Sequence, residues 1–165
     1  MKFYKILFTF YLLCMTTLTF GQSNSTIKPV LNAYFGLKDA LVASNNAQAI
    51  QNANILDKAL AAVNETDLNS STKAVWVKIA SDLKSNSASI ASSSDISTQR
   101  GFFVMLSTNM YSLVKEVKSE IPVYYQFCPM ANKGKGANWL SLENKVKNPY
   151  YGSMMLSCGK VVETL

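Results

Sequence analysis

Residues 30–41 read V-L-N-A-Y-F-G-L-K-D-A-L, and their large apolar side chains stand three or four positions apart, at Val30, Tyr34, Leu37 and Leu41. This spacing places the four side chains on one face of a helix. It predicts an amphipathic helix that buries this face against other elements.

Three further stretches repeat the spacing. Their apolar positions are Ile50, Ala53, Leu56, Leu60 and Val63, then Trp76, Ile79, Leu83 and Ile90, then Phe103, Leu106, Met110, Leu113 and Val117. Polar turns are predicted at 45–46 and 64–71, and a loop at 92–95. Serine enrichment over 85–98 is expected to loosen the end of the third helix. The predicted fold class is mainly α, an up-and-down four-helix bundle over about residues 27–120.

The composition changes after Pro122, which is expected to stop the fourth helix. β-branched and aromatic residues then cluster between Gly and Pro residues, as in Val123-Tyr124-Tyr125 and Pro149-Tyr150-Tyr151. This composition predicts short strands or an ordered loop over residues 123–163, packed against the bundle.

The N-terminus has the three parts of a secretory signal. Lys2 and Lys5 precede an apolar run from Ile6 to Met15, and cleavage is predicted after Gly21. Residues 1–21 are therefore expected to be a signal peptide, and residues 22–165 a single periplasmic or secreted domain. The run is too short to span a bilayer, so no stable membrane insertion is expected after cleavage. Cys14 follows a leucine, which makes it a poor lipid-attachment site.

Composition excludes several classes of function. The chain contains no histidine, which removes Ser-His-Asp and Cys-His catalysis and His-ligated zinc or haem. The glycines around Lys135 lack the spacing of a phosphate loop. Lysines alternate with acids along the helices, so the net charge of +6 does not indicate nucleic-acid binding. No nucleophile stands beside a base, and we expect no enzyme.

Sulfur-bearing residues mark the C-terminal segment. Cys128-Pro129-Met130 and Met154-Met155-Leu156-Ser157-Cys158 contain both cysteines that follow the predicted signal, whereas Met105 and Met110 fit the helical stripe. Thiolates and thioethers are soft donors that prefer Cu(I) or Ag(I) to hard ions. Pro129 favours an extended Cys128, which would project Cys128 and Met130 to the same side. A turn near Asn148 could return Met155 and Cys158 to them.

A disulfide is the simpler interpretation of two cysteines in an exported chain. Cys128 and Cys158 stand 30 positions apart, and a bridge across such a loop would stabilise the fold by roughly 3 to 4 kcal/mol. Neighbouring methionines would then be packing material. The residues alone leave the disulfide, the metal site and a free or redox-active pair open.

Four strings in the segment resemble one known family. They are V-Y-Y-Q-F-C-P-M-A at 123–131, W-L-S at 139–141, N-P-Y-Y-G at 148–152 and M-L-S-C-G at 155–159. They resemble the domain-of-unknown-function family 3347 (DUF3347), which is typical of Bacteroidetes. Residues 34–41 and 99–114 resemble its bundle helices. Its members occur as small exported proteins and attached to periplasmic adaptor subunits of copper and silver efflux systems.

The resemblance implies metal handling. It points to Cys128, Met130, Met155 and Cys158 as ligands of Cu(I) or Ag(I). It assigns a framework role to Trp139, Asn148, Pro149, Tyr150 and Gly152. The expected function is an exported periplasmic accessory that buffers the ion or delivers it to a heavy-metal efflux system. Its partner would be an efflux adaptor or another envelope protein. The alternative is a disulfide-stapled bundle that acts as an envelope protein-interaction module.

Overall fold

Four helices make up most of the protein. The computed structural model describes the backbone of residues 19–165 and side chains from Ser25 onward. The helices are α1 (Thr19–Val42), α2 (Asn46–Ala61), α3 (Ser70–Ser92) and α4 (Ile96–Val117). Residues 1–18 of the predicted signal peptide, Cys14 among them, lie outside this description, and the predicted cleavage point after Gly21 falls in the first turn of α1. No helix within residues 19–165 is long and apolar enough to cross a bilayer.

Polar caps define where α2, α3 and α4 begin. Asn45 accepts a hydrogen bond from the Gln48 N–H at the start of α2, and Asn69 accepts one at the start of α3. The Asp95 carboxylate does the same for α4. Because these side chains satisfy N–H groups that lack a partner in the first turn, they fix the helix starts. The loop predicted at 92–95 is confirmed over residues 93–95, while Ser92 still belongs to α3.

The serine-rich end of α3 differs from the prediction. The helix continues without interruption to Ser92, and Ile90 is fully buried. The Ser87 hydroxyl donates to the Ala53 carbonyl of α2 at 2.8 Å, and Ser89 donates to the Ser85 carbonyl of its own helix at 2.8 Å. Both hydroxyls donate to helix carbonyls and leave α3 intact. Burial of the end of α3 therefore outweighs the preference of serine for non-helical conformations.

Each helix packs on the next in sequence, and the apolar stripes form one core that continues beneath the C-terminal segment. Tyr34 of α1 lies at its centre, stacked on Phe103 of α4 with ring centroids 5.4 Å apart. Its hydroxyl lies 2.8 Å from Ser107 Oγ and accepts the Leu140 N–H at 3.0 Å. Burial raises the pKa of Tyr34, so the hydroxyl stays protonated and joins α1, α4 and the C-terminal segment.

The C-terminal segment forms a small antiparallel sheet, which confirms the predicted short strands. Its strands are β1 (Tyr124–Cys128), β2 (Ala137–Ser141) and β3 (Lys160–Thr164), in the order β2-β1-β3. The strand β2 packs against α4. The fourth helix ends at Val117, before Pro122, because Lys118 adopts a left-handed conformation with φ 56°. The expected role of Pro122 as the stop is therefore wrong.

Candidate functional site

The two cysteines meet where strands β1 and β3 adjoin. Cys128 is the last residue of β1 and is fully buried, whereas Cys158 is half-buried just before β3. Their Sγ atoms lie 2.7 Å apart, which is longer than the roughly 2.05 Å of a disulfide bond, and no bond joins them in the structure. The antiparallel register pairs Phe127 with Lys160. Cys128 directly follows Phe127, and Cys158 lies two residues before Lys160 with Gly159 between them, so this end of the β1–β3 pair brings together two cysteines that are 30 residues apart.

Gly159 makes this approach possible. Its φ of +140° is one that other residues rarely adopt, and a Cβ atom there would lie 2.7 Å from the Phe127 carbonyl oxygen. The same Cβ would lie 3.0 Å from the Trp139 ring. Only glycine lets the chain pass this close to β1 and place Cys158 beside Cys128.

Asn148 organises the loop that carries Cys158. It is fully buried, and its Nδ2 donates to the Cys158 carbonyl at 3.0 Å, while its backbone N–H donates to the Leu156 carbonyl at 2.8 Å. Its Oδ1 accepts the Tyr150 N–H, and its carbonyl accepts the Gly152 N–H. A single side chain and its peptide groups thus bind both ends of the loop, which pre-organises the position of Cys158.

Arg100, the only arginine of the chain, anchors this loop to the bundle. Its Nε donates to the Pro149 carbonyl at 2.8 Å, and its Nη2 donates to the Leu41 carbonyl and to Ser44 Oγ. Burial lowers the pKa of its guanidinium. Sequence reasoning missed this residue, although an arginine three positions before Phe103 interrupts an otherwise apolar stripe. That interruption is the signal that could have identified it.

The framework residues suggested by the resemblance lie around the cysteine pair. Trp139 is fully buried in β2 and meets Tyr150 edge to face, with ring centroids 5.9 Å apart. The Tyr150 hydroxyl donates to the Asn138 carbonyl at 2.5 Å. Gly152 has φ +57°, and a Cβ there would press on Arg100 Nη2 at 2.8 Å. These contacts hold the loop 148–158 against β2 and α4.

The two methionines near the cysteines differ in exposure. Met130 is 53% exposed and lies in the turn after β1, where its carbonyl accepts a hydrogen bond from the Tyr151 hydroxyl. The expectation that Cys128 and Met130 face the same side is wrong, because the strand ends at Cys128 and the alternation of side chains stops there. Met155 is half-buried in a short 3-10 helix, Gly152–Met155, and its carbonyl accepts the Cys158 N–H at 3.0 Å.

The two methionines of α4 also differ in burial. Met110 is fully buried in the core, as the helical stripe predicts. Met105 is 52% exposed, so its assignment to the stripe is wrong. It lies at the surface of α4 and is therefore a natural control for tests of the sulfur residues near the cysteines.

The surroundings of Cys158 disfavour its thiolate form. The hydrogen bond to Cys128 raises the pKa of the Cys158 thiol, and burial and the charge of a Cys128 thiolate raise it further, while the Met130 N–H lowers it in part. A metal ion must therefore displace protons to bind here. Among residues 19–165 no group of three or more His, Cys, Asp and Glu residues converges. A metal bound at this pair would have two thiolates as its charged ligands.

A surface groove leads to the pair. It has a volume of about 400 Å³ and is lined by Phe127, Pro129, Cys158, Gly159 and Lys160. Because Cys128 is fully buried and Cys158 is not, a reagent in this groove meets the Cys158 sulfur first.

The helical bundle matches the model of one protein family. Residues 30–121 match the family described as Protein of unknown function (DUF3347). The chain belongs to this family. The match covers more than half of the chain and confirms the family suggested by the sequence, but it ends before β1 and so before the strings at 123–159. No curated protein and no solved structure matches the chain.

Proposed function

We propose that this DUF3347 protein is a non-enzymatic accessory of the cell envelope that binds one soft monovalent metal ion, Cu(I) or Ag(I), between Cys128 and Cys158. The convergence of these two thiols carries the proposal. They come from elements 30 residues apart, and a dedicated frame of Asn148 and Gly159 holds them together. Thiolates select soft ions over Mg²⁺ or Ca²⁺.

Binding would require a small opening of the pair. Zinc–thiolate bonds are about 2.3 Å long, and we assume a similar length for Cu(I). An ion between the two sulfurs therefore needs more room than the 2.7 Å that separates them. Cys128 is fixed inside the sheet, whereas Cys158 lies at the groove. Cys158 would therefore move outward to admit the ion.

The thioethers of Met130 and Met155 would complete the coordination. Met130 is exposed and Met155 is half-buried beside Cys158, so neither is locked in the helical core. Neutral thioethers bind weakly and exchange readily, which suits a carrier that must release its ion. We propose that the protein buffers the ion or delivers it to a heavy-metal efflux system, through an efflux adaptor or another envelope protein. The resemblance to domains attached to such adaptors supports this role.

A competition titration tests metal binding. The reduced protein would be titrated anaerobically with Cu(I) in the presence of a chromogenic chelator. We expect one ion per chain, and loss of high-affinity binding in Cys128→Ser and Cys158→Ser. Met130→Leu and Met155→Leu should weaken binding by a smaller factor, and Met105→Leu should leave it unchanged. Equal copper retention by the wild type and the double serine variant would refute the proposal.

A second candidate function is a disulfide-stapled interaction module of the envelope. The 2.7 Å separation of the sulfurs favours it, because oxidation would need almost no backbone movement. Intact-mass measurement of the exported protein before and after alkylation separates the two candidates. Two alkyl groups per chain support the metal site. If no alkyl group is added, and reduction creates no high-affinity Cu(I) site, the stapled module is the correct interpretation.

A further inference from the structure

Three lysines stand at the thiol end of the sheet, one in the groove and two in the turn after β1, and we call them the lysine rim: Lys133, Lys135 and Lys160. Lys160 lines the groove beside Cys158. Lys133 and Lys135 are exposed in the turn that follows Cys128. Hydrogen bonds from the Gly134 N–H to the Met130 carbonyl and from the Gly136 N–H to the Ala131 carbonyl hold this turn in place. The backbone that carries Lys133 and Lys135 is therefore fixed at the thiol end of the sheet.

No acidic side chain neutralises the lysine rim. Glu143 and Glu163 are the only acidic residues after Pro122. Glu143 pairs with Lys147 at 2.7 Å, and Glu163 pairs with Lys115 at 3.3 Å and accepts the Tyr111 hydroxyl. Within the described residues, no carboxylate lies within ion-pair distance of a rim lysine. The approach to the thiols is therefore electropositive.

Lys160 lies on the accessible route to the thiols, and Lys133 and Lys135 add positive charge in the turn that follows Cys128. Cys128 is fully buried, so an incoming metal complex must enter the groove and meet Cys158 first. A positive field along such a route repels a free cation and raises the local concentration of an anion. A bare Cu(I) or Ag(I) ion would thus be repelled by the surface that surrounds its own site.

We propose that the site is loaded by an anionic complex of the soft metal, drawn in by the lysine rim; this rests on the function proposed above. Cys158 makes the first metal–sulfur bond as one carrier donor leaves, and Cys128 makes the second as the other donor leaves. Two thiol protons pass to the buffer, and no electron is transferred. The surface thus selects a carrier by charge, while the two sulfurs select the metal.

Two Cu(I) complexes with the same phenanthroline donors test the proposal. The bathocuproine disulfonate complex is anionic, and the neocuproine complex is cationic. Transfer to the reduced protein would be followed by stopped-flow absorbance where the rate rises linearly with protein concentration. Reversal of the rim, Lys133→Glu/Lys135→Glu/Lys160→Glu, should slow transfer from the anionic complex about tenfold at low ionic strength. It should accelerate transfer from the cationic complex.

A matched control separates a local field from net charge. Lys58, Lys78 and Lys84 are exposed on α2 and α3, which make no substantial contact with the sheet. Their triple change to Glu alters the net charge by the same amount and should leave both rates within about twofold. In the wild type, added salt should slow copper transfer from the anionic complex, because the screening length falls from about 30 Å at 0.01 M to about 3 Å at 1 M.

The outcomes distinguish the two proposals. Equal effects of the rim and control variants, or a wild-type transfer rate that is insensitive to salt, would refute the proposed role of the lysine rim. Neither result would affect the proposal that the thiols bind a metal ion. If the wild type takes copper from neither complex and also fails the competition titration, the metal-binding function fails, and the anionic carrier with it. Circular dichroism of both triple variants checks that the helices are retained.

Discussion

The bundle and the C-terminal segment are built in different ways. The bundle buries apolar stripes that recur along four helices, with Tyr34 and Phe103 at the centre. The segment from 123 to 165 relies on single polar groups and glycines, of which Asn148, Arg100 and Gly159 are the clearest. A bundle tolerates exchange of one apolar residue for another, whereas a hydrogen-bonded loop depends on particular atoms. The comparison predicts different responses to substitution in the two regions.

The largest effect is expected in the bundle core. Phe103 is fully buried, and its ring contacts Tyr34 and Tyr150, whereas the adjacent Phe102 is 37% exposed. Phe103→Ala should lower the free energy of unfolding by about 3 to 5 kcal/mol because it leaves a cavity. Phe102→Ala should cost less than about 1 kcal/mol. Urea unfolding followed by circular dichroism measures both, and equal losses would contradict the assigned core.

The next effect distinguishes the segment. Asn148→Ala removes two side-chain hydrogen bonds and leaves the Cys158 carbonyl and the Tyr150 N–H without these partners. We expect a loss of about 2 to 4 kcal/mol, because each unsatisfied buried group costs roughly 1 to 3 kcal/mol and the bond to the Cys158 carbonyl is only partly buried. Asn144→Ala, at an exposed side chain, is the control.

Hydrogen exchange locates the damage in Asn148→Ala. Amides of the loop 148–158 should exchange faster, while amides of α1 to α4 keep their protection. Uniform loss of protection across the helices would show that the two regions unfold as one unit, and the comparison drawn above would fail.

Replacing two glycines by alanine should change the stability of the protein in opposite directions. Gly159→Ala should destabilise by about 1 to 3 kcal/mol, because it strains the backbone and presses on the Phe127 carbonyl. Gly101→Ala should stabilise by about 0.5 to 1 kcal/mol, since Gly101 lies inside α4 with nothing within 4 Å of the added Cβ. Thermal unfolding of the two variants gives the signs directly. A stabilising Gly159→Ala would remove the reason given for the close approach of Cys158 to β1.

The smallest effect concerns how the sheet is attached to α4. The Tyr111 hydroxyl donates to Glu163 Oε2 at 2.6 Å, and this bond, together with Lys115, lowers the pKa of Glu163 below its ordinary 4.5. Because the folded-state pKa is lowered, the stabilising contribution is complete above about pH 4.5 and is lost as the pH falls through the folded value.

Glu163→Gln checks this linkage. The difference in stability between the wild type and Glu163→Gln should be constant near neutral pH and should shrink as the pH falls below 4.5. Urea unfolding at a series of pH values measures it. A difference that grows on acidification would show that the sign of the linkage is wrong.

The bundle could be predicted from the sequence because its information is periodic. Val30, Tyr34, Leu37 and Leu41 are all buried, as their spacing requires. The end of α3 could not be predicted, since serine composition does not reveal that Ser87 bonds to the Ala53 carbonyl of another helix. Periodicity gives the faces of helices but not the partners of polar side chains.

The candidate site could be predicted only in part. Sequence singled out Cys128 and Cys158, and the structure places their sulfurs together. The resemblance gave Asn148 a framework role, but the sequence could not give the hydrogen-bond partners of Arg100 and Asn148, because most of them are backbone groups that carry no residue identity. It also misplaced Met130, since local alternation was extended past the end of β1. Contacts to backbone and strand ends depend on the folded chain.

The central claim is that the sulfur atoms of Cys128 and Cys158 bind a soft metal ion. X-ray absorption at the copper edge of the reduced, Cu(I)-loaded protein tests it most directly. We predict a first shell of sulfur only, at about 2.3 Å by analogy with other metal–thiolate bonds, and its loss in Cys128→Ser/Cys158→Ser. A shell dominated by nitrogen or oxygen, or a spectrum that the double variant leaves unchanged, would contradict the claim.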